Sequence, residues 1–276
     1  MFTIHNDADA SAADLHRYER LLETAVPLAT ELSQLPLPSH ITVRIATAKQ
    51  FVAGQIEHNR ILFGRAIDSL ELGRVKSTML KATARAAQAT RRPMAAMFAP
   101  MVQGAIIWSA EGPELVVMPA SHAESHGTDR FLTCVLAHEM THLAQFELNP
   151  ALAWAYPRCS LQDKNARRPH DDQRAPFAVI EGHAAWVQVR ASMRLCGVAT
   201  RERLDHEPEP TELFTRLKSE SPIAGAYDLG EQFIATVHSY GGHALVERLL
   251  KDEDLLPTNR ELRDPQAWLN RHQPAD

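Results

Sequence analysis

The sequence predicts an α+β fold that is predominantly helical, with a small β-sheet upstream of its principal helices. Three observations lead there. HITVRIA at His40–Ala46 alternates apolar and polar side chains at period two, and two short apolar runs follow between residues 104 and 119. Elsewhere, long segments place apolar residues at helical spacing. No fixed-period repeat or low-complexity tract interrupts the pattern, which excludes solenoids and disordered scaffolds.

Residues 12–33 read as the first helix, with Leu15, Tyr18, Leu22, Ala25 and Val26 on one face, and LPLPSH breaks it before the strand at His40–Ala46. An Ala-rich helix is expected over Ser69–Thr90, stopped by Arg91, Arg92 and Pro93. Met94, Met97 and Met101 follow at helical spacing and are read as core filling. GAIIWS (Gly104–Ser109) and ELVVMP (Glu114–Pro119) flank Ala-Glu-Gly-Pro, a hairpin signal. SHAESHGTD reads as a polar turn. A strong helix then runs over Asp129–Leu148, capped by Thr128 or Asp129 and ended by Asn149-Pro150. Residues 157–175, polar and charged, read as a long exposed loop, solvated rather than folded over a cleft. Pro176 suits the first turn of a further helix that ends near Cys196, before Gly197. After the proline-bearing stretch HEPEPTE, a last long helix spans Ala226–Ser239. Gly241-Gly242 interrupts it, and it resumes to Leu250.

The 276 residues carry a formal charge of −5 and are 45% hydrophobic, an ordinary globular composition. That balance argues against nucleic acid or an anionic membrane as partner, which would favour a concentrated basic surface. The apolar stretch Ala95–Ala110 is too short to span a bilayer and contains Pro100 and Gln103. The first twenty residues lack a basic segment followed by an apolar one, so a cytoplasmic protein is expected. Cys134, Cys159 and Cys196 are odd in number and show no C-x-x-C spacing, so they read as reduced thiols. The chain is rich in histidine, with 14.

Two of these histidines carry a chemical pattern. His138-Glu139-Met140-Thr141-His142 is an H-E-x-x-H sequence inside the helix at Asp129–Leu148. Residues four apart on a helix share a face, so both imidazoles reach one Zn2+ at about 2.0–2.1 Å. Glu139, rotated by roughly 100°, lies beside the ion, where a carboxylate can move the proton of an attacking water. A catalytic zinc needs a third protein ligand. Glu181 is the next candidate, on the first turns of a helix and set among Phe177, Val179, Ile180, Ala184 and Trp186, apolar company that a surface glutamate seldom keeps. Small Ala184 and Ala185 let that helix approach the metal helix. Glu147 is the rival, but it lies five residues past His142 and points away.

HEMTH followed at a distance by EGHA resembles the gluzincin branch of zinc metallopeptidases. The strings HEMTHLAQFE, VIEGHAAWV, YDLGEQFIATVHSYGG and LPTNRELRDPQAWLNR are similar to an uncharacterised zincin-like metallopeptidase family of actinobacteria, named for an association with deazaflavin-cofactor biosynthesis. The resemblance covers about residues 104–272. It implies a zincin-like fold with zinc on His138, His142 and Glu181 and with Glu139 as general base, and it implies no particular substrate. One catalytic unit is expected over residues 1–276. Residues 1–148 would be an upper lobe with the sheet and the H-E-x-x-H helix, and 149–276 a helical lower lobe carrying the third ligand.

Zinc hydrolysis also needs a donor for the tetrahedral oxyanion. Tyr227, His238 and Tyr240 are available, and likeness to other zincins favours Tyr227. Tyr227 begins a Y-x-x-G-x-x-F pattern in which Gly230 allows close helix packing, and a core aromatic is its alternative role. His183 projects to the other side of the Glu181 helix and suits a buried hydrogen-bonding role. The strand Glu114–Pro119 is a candidate edge for an extended peptide. The reading is therefore a zinc metallopeptidase acting on a peptide or protein. The alternatives are a non-catalytic zinc- or peptide-binding protein on the same fold, or a helical protein without metal.

Overall fold

Alternating side chains split the short strands between two apolar layers, and that division organises the molecule. The computed structural model describes residues 1–89, 92–99, 102–125, 128–161, 175–199 and 224–272. Strands β1 (Phe2–Asn6), β2 (Ile41–Ile45), β3 (Gly104–Trp108) and β4 (Pro113–Val117) form one mixed sheet in the order β1-β2-β4-β3. β1 and β4 flank β2 in parallel, and β3 pairs antiparallel with β4, Ile106 opposite Leu115. Ile41, Val43, Ile45, Ile106, Leu115 and Val117 face one core, which they share with α1 (Ala12–Ser33) and α6 (Asp129–Leu148). Ile107 and Val116 face the other, packed against Phe51 and Val52 of α2 (Ala48–Asp68). A fold of this kind, helical with a small sheet, is the α+β class that the sequence predicts.

Local signals explain most boundaries. Ser11 caps α1 by accepting from the Asp14 N–H, and Thr128 caps α6 by accepting from the Phe131 N–H. A Thr47–Gln50 capping box opens α2. Arg17 of α1 pairs with Asp129 at the start of α6 at 2.7 Å, joining the two helices that cover the sheet. Beyond α6 come α7 (Leu152–Leu161), α8 (Ala175–Cys196) and α9 (Ala224–Lys251), then the short α10 (Asn259–Arg263) and α11 (Pro265–His272). A second large core lies under these helices, built on Val179, Val187, Phe233, Val237, Leu249 and Trp268. As the glycine pair foretells, α9 is broken at Gly242, whose φ of 64° favours glycine.

Several expectations need correction. β1 and the whole of α2 lie where the sequence suggested no element. The Ala-rich helix, α3, begins at Arg74 rather than at residue 69, and a short α4 (Arg92–Phe98) follows it. SHAESHGTD is not all turn, since α5 spans Pro119–Ser125. Met97 is half exposed rather than core, and Met101 lies outside the described residues. The expected loop 157–175 begins inside α7, where Arg158 pairs with Glu253. Residues 162–174 and the stretch HEPEPTE lie outside the described residues. The largest correction concerns the peptide edge. β4 has β2 on one side and β3 on the other, so its edges are taken, and among the described residues β3 is the edge strand on that side.

No disulfide joins the three cysteines. Among the described residues no helix is long and apolar enough to cross a membrane.

Candidate metal centre

α6 sets the site. Apolar residues on both sides of the helix bury it between the sheet core and α8, so His138, Glu139 and His142 are each less than a tenth exposed. α8 supplies Glu181 from its second turn. His138 Nε2 and His142 Nε2 lie 3.2 Å apart, and each lies 3.4 Å from Glu181 Oε2. Donors about 2.05 Å from a tetrahedral ion stand about 3.3 Å from one another. Two imidazoles and a carboxylate, the latter 39 to 43 positions further along the chain, thus converge with the spacing that one small cation requires. Among the described residues no other group of three or more His, Cys, Asp or Glu side chains has this property. The rival Glu147 is exposed and outside the group.

Gln145 fixes the proton positions. Its Nε2 donates to the Ile180 carbonyl at 2.9 Å, so its Oε1 is the end that faces His142 Nδ1, also at 2.9 Å. An amide oxygen only accepts, so His142 carries its proton on Nδ1 and turns Nε2 toward Glu181. The same Nε2 group reaches His183 Nδ1 at 3.1 Å. His183 is fully buried, and burial first, then the neighbouring imidazoles, push it down to about 3, so it is neutral and has the hydrogen-bonding role expected of it. Nothing about a glutamine three residues past the motif announces this part. Its partners are 35 and 38 residues away in the chain.

Glu181 and His142 stabilise each other's charge. Burial would raise Glu181, but the two imidazoles outweigh it and hold the carboxyl well below its usual range. Burial likewise opposes charge on His142, and Glu181, Glu139 and Gln145 outweigh it, lifting the imidazole to about 9. Glu139 behaves differently. Burial raises it, the two histidines offset this only in part, and the Ile106 N–H of the edge strand donates to its carboxylate. Gly104 of the same strand lies against it, and a Cβ there would come within 3.0 Å of the Glu139 Cγ. The edge strand therefore holds Glu139 beside the three donors.

The opposite wall comes from α9. Gly182 and Gly230 let α8 and α9 touch backbone to backbone. A Cβ on Gly182 would stand 2.1 Å from the Gly230 carbonyl carbon, and one on Gly230 1.8 Å from the Ala178 oxygen. That crossing is next in sequence to Glu181 and one turn from Tyr227. It brings the Tyr227 ring to 6.2 Å from His138, nearly parallel, and edge-on to Phe177. His238 instead packs on Trp186 and His243, and Tyr240 is mostly exposed. On the other flank, Phe146 stacks on His142 and leads to Trp108 and Trp154.

No family profile and no curated protein matches the chain. One solved structure does, a crystal structure from Chloroflexus aurantiacus described as a candidate hydrolase with a novel fold. The TM-score is 0.59 at 17% sequence identity, over 97% of this chain and 93% of that one. At that identity the two proteins share a fold.

Proposed function

We propose that this protein is a zinc-dependent hydrolase, a metallopeptidase of the gluzincin type, acting on a peptide or protein. The carrying observation is the triangle of two imidazole nitrogens and one carboxylate oxygen, with sides of 3.2–3.4 Å, beside a buried carboxylate outside it. Two nitrogens and one carboxylate are the donor set of catalytic zinc, which keeps a position open, whereas structural zinc is closed by four protein ligands. The description of the Chloroflexus aurantiacus protein points the same way. His138, His142 and Glu181 would hold the ion. When bound, it supplies a Lewis acid that lowers the pKa of water and polarises a carbonyl.

The remaining chemistry belongs to the chain. Glu139, raised by burial, suits a group that accepts a proton from the attacking water and passes it to the leaving nitrogen. Gln145 fixes the His142 tautomer, which keeps the Nε2 lone pair directed at the centre. Tyr227, its ring against His138, is the phenol that reaches the developing oxyanion. β3, not β4, is the edge strand beside the centre, and its Ile106 and Trp108 backbone N–H groups are held by Glu139 and His58.

Metal analysis of the purified chain should give one zinc per molecule after reconstitution. Glu139→Gln should keep that zinc and lose hydrolysis of a diverse peptide library. Failure to bind zinc overturns the metal assignment. Bound zinc without turnover in the native chain overturns the catalytic one and leaves a binding protein.

A further inference from the structure

Away from the metal centre, α2 and α3 (Arg74–Ala89) flank a hollow of about 260 Å3 that is open to solvent on one side, with Arg60, Arg65 and Arg85 exposed at its rim. Arg60, Arg65, Lys81 and Arg85 line it, with Asp68 as the one acidic lining residue. In a chain of net charge −5 such a concentration is out of character. Part of it is compensated locally, since Lys81 pairs with Asp68 at 2.6 Å and Arg60 pairs with Glu57. Arg65 and Arg85 have no carboxylate partner among the described residues. Arg65 is nonetheless held in place. Its guanidinium lies 4.4 Å from the centre of the Trp108 ring and 5.2 Å from that of Trp154, which orients the planar group without neutralising it. Gly64 keeps the hollow open, for no atom lies within 4 Å of where its Cβ would be.

Arg65 and Arg85, two uncompensated guanidiniums beside one hollow, repel one another, and a compact anion with several acceptor oxygens removes that repulsion. Arginine forks match phosphate oxygens in pairs. The volume is at the small end of ligand cavities, which fits a small molecule rather than a polymer. We propose that this cavity is a binding site for a small phosphorylated molecule, engaged through its phosphate by Arg65 and Arg85. The cavity shares no lining residue with the metal group, and Arg65 packs on Trp108 and Trp154, the aromatic pair that leads through Phe146 to His142.

The test is calorimetric titration of the zinc-loaded full chain with inorganic phosphate at low ionic strength. One saturable site per chain is expected. The double variant Arg65→Ala/Arg85→Ala should weaken it by about tenfold or more. Gly64→Leu keeps every charge, favours the helix and fills the hollow, so it should weaken binding as strongly. Circular dichroism confirms that both variants fold. Absence of saturable binding overturns the proposal. So does native affinity in the double variant, which places phosphate elsewhere, the metal centre included. Loss in the double variant alone, with Gly64→Leu binding normally, also overturns it, because phosphate is then held by the surface field and not by the cavity.

Discussion

Gln145 does more for the candidate centre than its neutrality suggests. It accepts from His142 and donates to Ile180 and His183, so a single side chain joins the metal helix to the helix that carries Glu181. Replacing it with alanine leaves His142 free to change tautomer and removes the bonds that tie α6 to Ile180 and His183. Gln145→Ala should therefore weaken zinc binding by about 10–100-fold, read by competition with a chromogenic chelator. An unchanged affinity would show that packing alone orients His142. Tyr227 separates differently. Tyr227→Phe keeps the ring against His138 and removes only the hydroxyl, so zinc should stay bound while the hydrolytic rate falls about 100-fold or more. A rate near the native value would return Tyr227 to a packing role.

At the scale of the element, the site depends on a crossing of helices. Gly182 and Gly230 leave no room for even a methyl group, and the backbone they would strike cannot move aside like a flexible side chain. Gly182→Ala should cost roughly 3 kcal/mol or more of stability, measured by urea unfolding, and should lower zinc affinity because Glu181 is the preceding residue. Wild-type stability would mean that the helices stand further apart than described. Part of this was legible in the sequence. Helix α6 announced itself through its apolar spacing and caps, Glu181 through its apolar neighbours, and Gly230 through its place between Tyr227 and Phe233. Other parts were not. β1 is five residues whose strand partner lies 39 positions away, and α2 interrupts its apolar spacing with polar residues and two glycines. The hairpin was readable, but which of its strands forms the edge depends on β2 pairing with β4, a long-range choice that no local pattern carries. The same holds for Gln145, whose function exists only once α8 is packed against it.

At the scale of the whole molecule, both faces of the sheet are fastened through neutral histidines, one buried and one partly buried. On one face His122 of α5 accepts from the Tyr18 hydroxyl of α1 at 2.5 Å and donates to the Gln103 carbonyl at 2.5 Å. On the other, His58 of α2 accepts from the backbone N–H of Trp108 in the edge strand at 3.0 Å. Burial pushes each of them down to about 4. In the unfolded chain both titrate near 6.5. Between those values the unfolded chain binds a proton that the folded chain refuses, so stability is fully present above pH 6.5 and is lost as the pH falls toward 4. Each histidine should withdraw roughly 2 kcal/mol by pH 5. His58→Asn isolates one contribution, because an asparagine oxygen sits near the position of Nδ1, can accept from Trp108 and does not titrate. Urea midpoints at pH 7.5 and pH 5 should therefore fall further apart in the native chain than in His58→Asn, by about the share of one histidine. An identical loss in both proteins would mean that His58 is not held neutral, and the acid sensitivity would then rest on His122 and the remaining groups.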